Sequence, residues 1–177
     1  GDAGSDADDI DGGMDAGADA ADAGEPTDPL DGAAEPELVA EGYQFLEGPR
    51  WIPDAGVLRF TDIPADTIYE LTPPDSVTEW RTPSGNANGL AVDGDGRLLA
   101  AEHGGRRISV TVGGSAETLV DTFEGDTFNS PNDLVVDSDG TIYFTDPPYG
   151  LSGRTREVSF NGLYRYEPDS ETLVAEW

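Results

Sequence analysis

One hairpin recurs along this chain, and that recurrence limits the possible folds more than any other feature. "NGLAVDGDGRLLAAE" (88–102) and "NDLVVDSDGTIYFTD" (132–146) align without a gap at an offset of 44 residues. Asn88 falls on Asn132, Val92-Asp93 on Val136-Asp137, and Asp95-Gly96 on Asp139-Gly140. "GPRWIPDAGVLRFTD" (48–62) is a third copy: Gly56 falls on Gly96 at an offset of 40, and Asp62 on Glu102 and Asp146. Each copy reads as strand, Asp/Gly turn, strand and acidic residue, because glycine supplies the positive φ that a tight hairpin needs. Outer strands such as "TIYELTP" and "SVTEWRT" come next in the chain, and helical periodicity is nearly absent. A period of 40–44 residues matches one four-stranded propeller blade. The expectation is an all-β chain with three blades, roughly 42–86, 87–130 and 131–177. A β-sandwich with accidental internal similarity is the alternative.

Propellers close with about 4 to 8 blades, so three blades leave the ring open. Either further blades lie beyond Trp177 or the chain assembles, and truncation is the simpler expectation. Residues 1–40 differ in kind. This stretch, which opens with "GDAGSDADDIDGGMDAGADAADAG", is mostly Asp, Gly and Ala, with no aromatic or basic residue. Such a stretch cannot bury enough apolar surface to offset its ordering entropy, which predicts a disordered leader. Leaders of this kind resemble the tethers of exported bacterial proteins, and the expected location is extracytoplasmic. "DADDIDGG" lacks the spacing of a calcium loop.

The chain has 37 acidic residues, nine arginines, no lysine and a net charge of −28. Nucleic acid and anionic membrane surfaces need basic footprints, so both are disfavoured as partners. With no cysteine, disulfides and thiolate metal sites are excluded. No apolar run reaches the ~18 residues of a membrane span. Oligomeric state is not legible.

In a propeller, the residues just before each innermost strand converge on the axis. Here those are Glu47 or Gly48, Asn88 and Asn132. A carboxylate and two amides are hard oxygen donors, suited to Ca²⁺ or Mg²⁺ and poorly to soft metals. Asparagine before a strand is also a common turn former, and repetition beside a glutamate favours the ligand reading. His103, in "AAEHGG", neighbours the Asp62 and Asp146 positions; it is either structural or a substrate contact. Tyr149, in "DPPYG", is either a packed turn aromatic or a pocket residue. Asp62 and Asp146 read as turn caps, and Arg106-Arg107 as partners of the protein's own carboxylates. There is no G-x-S-x-G elbow and only one histidine, so no Ser-His-Asp set is available.

"LEGPRW", "FTDIPADTIYEL", "PSGNANGLAVDGDGRLLAAEHGGRRI" and "FEGDTFNSPNDLVVDSDGTIYFTDPPYG" resemble the senescence marker protein / gluconolactonase / luciferin-regenerating enzyme family, most closely its bacterial gluconolactonases. The resemblance runs from about Leu46 to the end. It implies a six-bladed propeller with one divalent cation on the channel axis: Ca²⁺ first, with Zn²⁺, Mg²⁺ or Mn²⁺ as alternatives. It also implies metal-dependent hydrolysis of a small sugar-acid lactone. Carried over, the Glu of "EGP", Glu47, and the Asn of "SPND", Asn132, are metal ligands. Asn88 contacts substrate or a metal-bound water, and His103 and Tyr149 join it as substrate-binding candidates. The family's general-base Asp would lie beyond residue 177, so the catalytic residue is unassigned. A non-catalytic calcium-binding or ligand-binding propeller, an esterase of different substrate, and an inactive fragment are the rival expectations.

Overall fold

The computed structural model describes residues 30–176. Two units are distinguished, Gly1–Glu37 and Leu38–Trp177. Of the first, only 30–37 are described, with a turn closed by the Ala33 N–H donating to Leu30 O at 2.9 Å. The expected disorder of the leader falls largely on residues 1–29, outside the described residues. Among the described residues no helix is long and apolar enough to cross a membrane.

The second unit is all β. Three four-stranded antiparallel sheets each run in chain order. The first holds β1 (Leu46–Ile52), β2 (Val57–Asp62), β3 (Thr67–Thr72) and β4 (Ser76–Arg81). The middle sheet holds β5 (Ala87–Val92), β6 (Leu98–Glu102), β7 (Arg107–Val112) and β8 (Ser115–Val120). A two-stranded ribbon, β9 (Thr122–Phe123) with β10 (Asp126–Thr127), precedes the third sheet. That sheet holds β11 (Leu134–Val136), β12 (Ile142–Asp146), β13 (Gly162–Glu167) and β14 (Thr172–Ala175).

The repeat is visible at the level of single bonds. Gly96 N donates to Asp93 O at 3.0 Å, and Gly140 N to Asp137 O at 3.0 Å. Gly96 and Gly140 hold φ of 79° and 89°, which a side chain would strain. These Asp/Gly turns close the β5–β6 and β11–β12 hairpins as the sequence predicts.

Packing explains why "LLAAE" does not alternate between apolar and polar. All five residues of β6 are buried, because the middle sheet is covered on both faces. Leu98 and Ala100 join Ile52, Val57, Ile68 and Leu90 against the first sheet. Leu99 and Ala101, pointing the opposite way, join Leu134, Phe144 and Tyr164 against the third. Period-two alternation persists, but between two apolar neighbours. Phe128, Phe144 and Tyr164 form an aromatic cluster with centroids 5.1–5.2 Å apart.

The acidic residues that end β2 and β12 share a definite task. Asp62 accepts hydrogen bonds from the N–H groups of Gln44 (2.9 Å) and Phe45 (3.1 Å), just before β1. Asp146 accepts from Asn129 (2.8 Å) and Ser130 (2.6 Å), just before Asn132. Burial pushes the Asp146 carboxyl up, and the two N–H donors pull it partly back. Each carboxylate therefore staples the segment that leads into an innermost strand. Asp146→Ala would leave two buried N–H groups without acceptors, at about 1–3 kcal/mol each. The expected loss is about 3 kcal/mol in urea unfolding, with faster hydrogen exchange at Ser130.

Candidate functional site

The three innermost strands share a distortion at one end. The β1–β2 register shifts between Glu47 and Arg50, and the β5–β6 register shifts between Ala87 and Leu90. Before β11, Asn132 N donates to Thr145 O (2.8 Å) while Thr145 N donates to Asp133 O (3.1 Å), so two residues oppose one. Bulges of this kind re-aim side chains. Here they fall at Gly48-Pro49, Asn88-Gly89 and Asn132-Asp133, the positions that the repeat singles out.

Glycine lets these bulges approach one another. A Cβ on Gly48, at φ 54°, would sit 2.1 Å from Asn88 O. One on Gly89 would sit 2.7 Å from Asp133 Cα. Gly89 N donates to Asn132 O at 2.8 Å, and Thr61 Oγ1 to Asn88 O at 3.0 Å. The inner strands are thus joined where their polar side chains emerge.

Around this junction lies a cleft of about 510 Å³ whose lining includes Glu47, Asn88, His103, Asn132 and Tyr149. All five candidate residues therefore meet in one place. Phe45, Ile63 and Leu90 supply an apolar wall. Asn88 and His103 are buried, Asn132 is half-buried, and Glu47 and Tyr149 are exposed, Tyr149 by 77%.

His103 faces both amides. Its Nε2 is 3.3 Å from Asn88 Nδ2 and 3.2 Å from Asn132 Nδ2. Burial, and then the nearby Arg154 guanidinium, push the His103 pKa down. With both amide nitrogens turned to the ring, neither Oδ1 accepts a hydrogen bond from the described residues. Asp133 also borders the cleft, but its Oδ1 accepts from Leu134 N at 2.9 Å.

The cleft offers hard oxygen donors that suit a divalent cation: the Glu47 and Asp133 carboxylates and two amide oxygens without a hydrogen-bond partner among the described residues, with no thiolate or thioether in the lining. Among the described residues no group of three or more His, Cys, Asp or Glu could hold a metal. A cation here would rest on Glu47 and Asn132, with Asn88 facing the same cleft, and would need further oxygen ligands.

Arg154 was not legible as part of the site. It lies in the loop between β12 and β13, outside the repeat, and its guanidinium donates to four carbonyls. Nη2 reaches His103 O (2.8 Å) and Gly150 O (2.7 Å), Nη1 reaches Gly104 O (2.9 Å), and Nε reaches Leu151 O (3.0 Å). Arg106 and Arg107, by contrast, pair with Glu157 and Glu102, each at 2.7 Å, as the sequence suggests.

Comparison with known proteins agrees with this architecture. A gluconolactonase of Zymomonas mobilis is 36% identical over 166 residues, covering 83% of this chain and 47% of that protein. The structure of a gluconolactonase from Xanthomonas campestris superposes with a TM-score of 0.72 at 34% identity, covering 75% of this chain and 47% of that one. A second structure, of a protein provisionally assigned to the gluconolactonases, gives 0.75 at 30% identity, covering 84% and 56%. The chain thus spans about half the length of these relatives. The family model for the SMP-30/gluconolactonase/LRE-like region matches residues 45–176. On this match, across three sheets and the whole of the cleft, the chain belongs to the SMP-30/gluconolactonase/LRE-like family.

Proposed function

We propose that this chain supplies part of the active site of a metal-dependent lactonase acting on sugar-acid lactones. The observation that carries the reading is the convergence of Glu47, Asn88 and Asn132 on one cleft, with both asparagine oxygens free of other partners among the described residues. Glu47 and Asn132 would hold a divalent cation, Ca²⁺ first among candidates, and Asn88 would take the substrate or a water. When bound, such an ion acts as a Lewis acid toward a carbonyl oxygen.

Lactone hydrolysis forms a bond from water oxygen to the carbonyl carbon and breaks the ring C–O bond. One water proton ends on the released alkoxide, giving a hydroxy acid. Glu47 is exposed on the cleft and balances positive charge there. The apolar wall of Phe45, Ile63 and Leu90 limits water around the reacting carbonyl. Tyr149, exposed at the rim, is placed to stack on or hydrogen-bond a polyol. None of the cleft residues is assigned the task of taking the proton from water, and the Asp/Gly/Ala-rich composition of residues 1–40 supports an extracytoplasmic location.

The test is δ-gluconolactone hydrolysis by the protein that carries this chain, followed by acid release. Chelation by EDTA is expected to abolish hydrolysis and added Ca²⁺ to restore it. Hydrolysis that survives chelation would contradict the metal-dependent reading.

A further inference from the structure

An amide nitrogen carries only donors, so an Asn Nδ2 facing an imidazole nitrogen requires that nitrogen to accept. Both Asn88 Nδ2 and Asn132 Nδ2 face His103 Nε2, at 3.3 and 3.2 Å. Nε2 therefore holds a lone pair, and the ring proton of the neutral form sits on Nδ1. One ring, at the end of β6, thereby fixes the orientation of two side chains from different innermost strands. Turning either amide over would set its Oδ1 against the Nε2 lone pair.

The ring is itself fixed. A Cβ on Gly150 would lie 2.6–2.8 Å from His103 Cβ, Cγ and Nδ1, so the 147–161 loop packs directly on the imidazole. Arg154 bonds His103 O and Gly150 O together, at 2.8 and 2.7 Å. Gly150 N donates to Ser130 Oγ at 2.8 Å, tying the loop to the segment that leads into Asn132.

We propose that His103 is a positioning residue: through Nε2 it turns the amides of Asn88 and Asn132 so that both carbonyl oxygens present to the cleft, and the loop clamped by Arg154 holds the ring in that role. The inference rests on the reading of the cleft as a cation site, and goes beyond it by naming what orients the ligands.

The test has two readouts on the 177-residue chain. Nitrogen-15 NMR of the metal-free protein reports the His103 tautomer and the Asn88 and Asn132 side-chain amides. The proton is expected on Nδ1, with both amide groups hydrogen-bonded to the ring; a proton on Nε2 would overturn the proposal. Calcium titration calorimetry then compares three chains of matched unfolding midpoint. His103→Leu, which removes the acceptor, is expected to weaken calcium binding by at least about tenfold. His103→Gln, whose Oε1 can accept at the position of Nε2, is expected to stay within about threefold of wild type. Undiminished affinity in His103→Leu, or equal losses in both variants, would overturn it. Failure of the wild-type chain to bind calcium would sink the cation reading instead, while the tautomer still decides the amide orientation.

Discussion

Glu102→Ala is expected to lower the free energy of unfolding by about 3–5 kcal/mol, because it leaves a buried guanidinium without its counter-charge. Glu102 is 1% exposed. Its Oε1 accepts from Ser109 Oγ at 2.6 Å and from Arg81 Nη2 at 3.0 Å, and its Oε2 accepts from Arg107 Nε at 2.7 Å. Arg81 comes from β4 of the first sheet and also reaches Ser84 O (2.9 Å) and Thr111 Oγ1 (3.1 Å), so the network joins the first and middle sheets. Burial pushes the Arg81 pKa down, with Glu102 the main opposing influence. The surroundings are shaped to the carboxylate: a Cβ on Gly85 or Gly105 would lie 2.4 or 2.2 Å from Oε2. Urea unfolding with an unchanged m-value measures the loss. The double variant Glu102→Leu/Arg81→Met should recover a large part of it, since an apolar pair often replaces a buried ion pair at little cost. A single-variant loss below about 1 kcal/mol would show that the network is not coupled as described.

Glu47→Gln is expected to weaken calcium binding by at least about a hundredfold, since even partners outside the ligand shell control about 10–100-fold. Glu47 is the carboxylate of the two proposed ligands, Glu47 and Asn132, so Gln there removes a ligand charge while leaving the shape nearly intact. Asn132→Ala should produce a comparable loss by removing an oxygen that no other described group uses. Asp93→Asn is the control. Asp93 belongs to a turn at the other end of the hairpin, where it accepts from Asp95 N and Arg97 N at 3.0 and 2.8 Å, and its replacement should leave calcium affinity unchanged. Calorimetry at fixed ionic strength separates the three, because unspecific attraction to a chain of net charge −28 is screened by salt.

The strands, their turns and the family were legible because they depend on local signals. The Asp/Gly turns at 93–96 and 137–140 announce two hairpins, and the 44-residue offset puts Asn88 and Asn132 in equivalent places. The bulges were not legible, since they arise from close approach between strands far apart in sequence. Gly48 and Gly89 gave the only hint, and that hint needs the neighbouring strand to be understood. Repeat logic also misleads at one position. Glu102 aligns with Asp62 and Asp146, yet its extra methylene takes the carboxylate to Arg81, Arg107 and Ser109. The segment leading into β5 is held instead by Asp66, whose Oδ1 accepts from Asn86 N at 2.6 Å and Ser84 N at 3.0 Å. Arg154 gave no signal because its partners are backbone carbonyls, which carry no sequence signature.

Among the described residues, one cleft at each end of the hairpins could attract a cation. One is lined by Glu47, Asn88 and Asn132; the other, of about 530 Å³, by turn residues that include Asp93, Asp95, Asp139 and Asp169. Titrating the nitrogen-15-labelled chain with calcium and tracking its amide shifts distinguishes them directly. Saturable shifts centred on Gly48, the Asn88 and Asn132 side chains and Gly89 are the result expected here. Shifts confined to the Asp93–Asp95 and Asp137–Asp139 turns, with the Asn88 and Asn132 amides unmoved, would contradict the assignment of the cation to the cleft.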